Sequence, residues 1–153
     1  MALWFECKVR FDKMMENGAV KKVTEAYLVD ALSFTEAEAR IIKEIQPYIS
    51  GDFTVPAIKK TNIAEIFPDS SADKWWLVKC NFIQIDEKSA KERKTASYFM
   101  VQADSQQGAT DRFNSGMKGT MADYEIAKVA ETNVLDVYPA DLSENHETRN
   151  SDG

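Results

Sequence analysis

Apolar and polar residues alternate from the start of the chain: Phe5, Cys7, Val9 and Phe11 are separated by Glu6, Lys8, Arg10 and Asp12. A period of two puts one set on each face of a half-buried β-strand. Glu16-Asn17-Gly18 supplies a turn, because Asn and Gly tolerate positive φ, and residues 23–31 are predicted to return as a second strand. The period then lengthens. Ile41, Ile45 and Ile49 mark the apolar stripe of a helix, opened by a capping box of Thr35 and Glu38 and closed by Pro47 and Gly51. Residues 53–58 and 63–67 are predicted strands. Pro56 makes the first an edge or bulged strand, since proline has no N–H to give to a ladder.

The same order of elements then recurs. Asp52, Thr61, Asn62 and Pro68 correspond to Asp123, Thr132, Asn133 and Pro139 at a constant spacing of 71 residues. Trp76, Val78, Cys80 and Phe82 repeat the first strand, and residues 86–94 form a longer, charged hairpin connection. One inserted residue there shifts Phe99, Val101 and Ala103 to a spacing of 72 from Tyr27, Val29 and Ala31. Ala109, Arg112 and Phe113 match Ala37, Arg40 and Ile41, although Gly108, Gly116 and Gly119 weaken that helix. The expected fold is α+β: an internally duplicated β-β-α-β-β unit, residues 1–68 and 75–139, with antiparallel sheets, both helices on one face and pseudo-two-fold symmetry. Residues 69–73 are too short a linker to let the halves separate. By element order alone this resembles TATA-binding-protein-like, Whirly-like and Pur-like architectures.

Composition narrows the chemistry. The chain has 153 residues, a net charge of −6 and no apolar run long enough to span a bilayer. No secretory signal is evident, so a cytoplasmic location is expected. Four acids against one arginine after Pro139 predict a disordered acidic tail, residues 140–153. Cys7 and Cys80 sit on apolar strand faces and read as buried reduced thiols. The single histidine, His146, falls in the tail, leaving little support for histidine catalysis or zinc binding.

Matching positions in the two halves filter the remaining candidates. Opposite the cysteine row lie Trp4, Lys8 and Arg10 on one strand, and Trp75, Lys79 and Asn81 on its counterpart. An aromatic ring beside a cation on an open sheet can stack unpaired bases and neutralise phosphates. Lys91, Arg93 and Lys94 on the second hairpin, with Lys88, extend that surface, though Glu87 and Glu92 interrupt it. Packing at the strand ends is the plainer use of the tryptophans. The Thr61-Asn62 and Thr132-Asn133 pairs read as bend-shaping side chains. Asp52, Asp123, Glu65 and Asp136 have no associated base or nucleophile, and Gly116-Met117-Lys118-Gly119-Thr120 lacks the spacing of a phosphate loop. No catalytic residue, cofactor or metal is expected.

Three strings point to a family: residues 4–10, residues 23–40 and Gly116-Met117-Lys118-Gly119-Thr120-Met121-Ala122-Asp123-Tyr124-Glu125. They resemble a domain-of-unknown-function family of small Bacteroidetes proteins, some phage-carried. The resemblance implies a cytoplasmic bacterial protein and carries no activity with it. The expected function is non-enzymatic binding of single-stranded DNA or RNA through an exposed sheet face. The alternative is a protein-interaction or assembly module, a homodimer or adaptor that uses an edge strand such as residues 53–58 or the same sheet face.

Overall fold

The computed structural model describes residues 3–139; the predicted tail and its His146 lie outside the described residues. The elements are β1 (Trp4–Met14), β2 (Val20–Asp30), α1 (Phe34–Ile45), a single 3-10 turn (Gln46–Tyr48), β3 (Phe53–Lys60) and β4 (Ile63–Phe67). The same order returns as β5 (Trp75–Ile85), β6 (Glu92–Gln102), α2 (Gln106–Gly116), β7 (Asp123–Glu131) and β8 (Val134–Tyr138). Two four-stranded sheets result, ordered β3-β1-β2-β8 and β4-β6-β5-β7. The protein is α+β and mostly strand.

Two expectations need correction. The sheets are mixed rather than antiparallel: β8 pairs in parallel with β2, and β4 in parallel with β6. Each short strand has crossed to the sheet built by the other part of the chain. The helices also do not share a face. α1 packs on β1, β2 and β3, and α2 on the second sheet. Each helix has its own apolar sheet face to cover, so one common layer was never needed.

The alternation in β1 places Phe5, Cys7 and Val9 under α1, against Ala37, Ile41 and Ile45, all buried. Trp76, Val78 and Cys80 meet Ala109 and Phe113 of α2 in the same way. A third cluster lies on the opposite faces, between the sheets: Trp4, Leu28, Ile63, Trp75, Met100 and Val134. The architecture is therefore helix, sheet, sheet, helix. Pro56 sits in β3, an outer strand whose pairing with β1 shifts register between Lys8 and Arg10, so both features the proline suggested are present.

The helix start differs from the predicted one. Ser33, not Thr35, caps α1: its Oγ accepts from the Glu36 N–H at 3.1 Å, and the Glu36 carboxylate accepts from the Leu32 N–H at 3.0 Å. Ser105 caps α2 alike, accepting from Gly108 N–H at 3.0 Å.

Candidate binding cleft between the sheets

The crossing strands are anchored at both ends by the same bonds. Thr61 Oγ1 donates to the Trp4 carbonyl at 2.8 Å, and Thr132 Oγ1 donates to the Trp75 carbonyl at 2.8 Å. Each hydroxyl also accepts from the N–H two residues on, at 3.3 Å. At the far ends, Arg40 on α1 donates to the Pro139 carbonyl at 2.9 Å, and Arg112 on α2 to the Pro68 carbonyl at 3.3 Å. These bonds bring both Thr-Asn corners to one opening between the sheets.

That opening is a cleft of about 880 Å³. Its floor is aliphatic: Leu28, Ile63, Leu77, Met100 and Val134. Its polar wall carries Lys8, Lys59 and Lys60, with Glu6 and Glu25. Glu6 stands opposite Lys59 in the β1–β3 register, and Glu25 engages the Tyr27 phenol. Asn62 and Asn133 are exposed at the rim, and neither amide has a hydrogen-bond partner among the described residues. A smaller apolar hollow of about 400 Å³ lies at the tryptophan end, lined by Trp4, Ile66, Pro68, Trp75 and Val137.

The predicted site residues are split up. Trp4 and Trp75 do lie opposite the cysteine row, but that face is turned to the other sheet, and the rings are only 6% and 3% exposed. Stacking on a bound base is closed to them; the plainer packing use is the one they have. Trp75 Nε1 is buried without a partner, whereas Trp76 Nε1 donates to the Ala103 carbonyl at 2.8 Å. Further along the same faces the side chains reach water. Lys8 lines the cleft, Arg10 lies two residues beyond it and donates to Thr24 Oγ1 at 3.3 Å, and Lys79 is half-buried on β5. Lys94 is committed elsewhere, 2.9 Å from Glu125, which also accepts from Asn81 at 3.3 Å. That bond raises the Lys94 pKa and lowers that of Glu125. Lys91 and Arg93 stand exposed at the β5–β6 hairpin.

Sequence reasoning missed Lys59, Lys60 and the separate role of the two asparagines. Lys59-Lys60 directly before Thr61-Asn62 was a legible signal, but its counterpart, Ala130-Glu131, breaks the repeat that served as the filter. The cysteines offer no nucleophile. Burial, aided by Glu6, pushes the Cys7 thiol up to about 12, and burial raises Cys80. Among the described residues no cluster of His, Cys, Asp and Glu could hold a metal ion, and no helix is long and apolar enough to cross a membrane.

These features define an α+β protein of two facing four-stranded sheets with a cleft between them whose polar wall carries three lysines and two glutamates. The chain belongs to the family described as domain of unknown function DUF4494, whose model matches residues 3–140. No curated protein and no solved structure matches the chain.

Proposed function

We propose that this is a non-enzymatic binding protein that takes single-stranded nucleic acid into the cleft between its sheets. The observation that carries the reading is the gathering of Lys8, Lys59 and Lys60 around an aliphatic floor in a chain of net charge −6. Cations at the wall neutralise phosphates, and Leu77 and Met100 offer base faces an apolar surface in place of aromatic rings. Arg10 and Lys79 extend the charge outward along the two sheets.

Labelled oligonucleotide anisotropy tests this. Binding should weaken steeply with salt, and Lys8, Lys59 and Lys60 changed together to Ala should flatten the salt slope by roughly two to three. Because Trp4 and Trp75 are packed inside, their fluorescence should change little on binding. Absence of binding at low salt by both the full chain and a chain ending at Pro139 would refute the reading.

The assembly alternative rests on β3 being an outer strand. Pro56 and the register shift blunt that edge, which is how sheets resist edge-to-edge pairing, so we rank it second. We also read the chain as an internal duplication with a pseudo-two-fold axis between residues 1–68 and 75–139. The matched threonine and arginine bonds support that reading. A bacterial, in part phage-carried, origin and a cytoplasmic setting complete the proposal, in keeping with two unpaired, buried cysteines.

A further inference from the structure

The Thr-Asn-Pro match assigns a structural task to two of its three residues. The threonines tie each crossing strand to a tryptophan carbonyl, and the proline carbonyls are held by Arg40 and Arg112. The asparagines are left over. Their backbone corner is already fixed by the neighbouring hydroxyl, and their amides bond to nothing among the described residues. Both are exposed and both face the same cleft, Asn62 directly after Lys59, Lys60 and Thr61.

A primary amide presents a donor and an acceptor side by side. Every unpaired base offers a complementary donor and acceptor on its Watson–Crick edge, which a duplex would occupy, so an amide can hold such a base in a bidentate manner. We propose that Asn62 and Asn133 are the base-edge contacts of the cleft and select strands whose Watson–Crick edges are free, while the lysines hold the phosphates. This rests on the nucleic-acid reading of the cleft and adds a specificity to it. Phosphate contacts position a strand without reading its sequence; base-edge contacts read it. The lysines and asparagines divide those tasks here.

The test uses the full chain with oligo-dT, the same strand methylated at thymine N3 and an abasic strand of equal length, at one salt concentration and across a salt series. The wild type should bind oligo-dT roughly tenfold tighter than its N3-methylated form, which keeps the base faces and phosphates but blocks the edge, and the abasic strand should bind no tighter than that form. N62A and N133A should each reduce that preference and together erase it, with the salt slope unchanged. Neither amide holds the fold together, so urea midpoints should match the wild type, and that measurement guards against a trivial loss. A wild type that binds the two thymine strands equally, or an asparagine pair whose removal leaves the preference intact, overturns the assignment while the cleft stands as a phosphate site. A wild type that binds no strand at low salt overturns both together.

Discussion

The two threonines show how one hydroxyl can fix where a strand goes. Thr61 and Thr132 each donate to a tryptophan carbonyl of the sheet the chain is leaving and accept from the N–H two residues on. Valine preserves the shape and removes both bonds, leaving a half-buried carbonyl and N–H less well paired. Thr61→Val and Thr132→Val should each cost about 1 kcal/mol in urea denaturation, with closely similar losses at the two sites. A loss at one site alone would mean that the matched distances do not reflect matched energetics. Alanine at Asn62 or Asn133 should cost nothing measurable by the same assay. The sequence presented Thr and Asn as a single pair of bend-formers; only the hydrogen bonds separate the residue that bends the chain from the one that faces the cleft.

At the scale of elements, the seam between β2 and β8 carries a pH-dependent contact. Tyr27 and Tyr138 stack across it with ring centroids 5.9 Å apart. Burial first, then the charges of Glu25 and Asp136, push the Tyr27 phenol up to about 12, and burial with Asp136 raises Tyr138 as well. An unfolded tyrosine ionises near about 10. The folded chain therefore holds these protons longer, so the stability they contribute is whole below pH ~10 and is lost as pH rises through ~12. Phenolate absorbance and circular dichroism should change together in that window, and Y138F should move the alkaline midpoint upward. An unchanged midpoint in Y138F would show that the seam does not set the alkaline limit. Strand and helix periodicity made most of these elements legible: Phe5, Cys7 and Val9 alternate as buried residues, and Ile41 and Ile45 of the expected stripe are buried on α1, while Ile49, its third member, lies past the helix in extended backbone. What periodicity cannot carry is the partner of a strand. A five-residue segment such as β4 or β8 reads the same whether its neighbour is antiparallel and local or parallel and distant. The face bearing Trp4 and Trp75 looked solvent-exposed because Glu6, Lys8 and Arg10 alternate with the apolar row, yet its first residues are covered by the other sheet. The weak helical signal of α2 has a packing cause as well: a Cβ on Gly116 would stand 3.2 Å from the Phe67 ring, so glycine there lets α2 close onto β4.

For the whole molecule, exchanging β4 and β8 ties the stability of each sheet to the other. Ile63 begins β4 in the second sheet, yet it is joined through Thr61 to the Trp4 carbonyl of the first and packs in the cluster between them. Val134 is its counterpart at the start of β8. Cys7 lies under α1 and Cys80 under α2, both fully buried, which provides one thiol reporter in each sheet. Their raised pKa values keep them protonated and slow to react until water reaches them. Ile63→Ala should lower stability by about 2 kcal/mol. If the exchange makes the sheets one cooperative unit, labelling of Cys7 and Cys80 under denaturant should accelerate equally in that variant, although the substitution lies in only one of the two sheets. Thiol labelling read by peptide mass would separate the two sites. Faster labelling of Cys80 with Cys7 still protected would mean that the sheets open independently, and that the crossing strands act as docking pieces rather than as the joint that makes the protein fold as a whole.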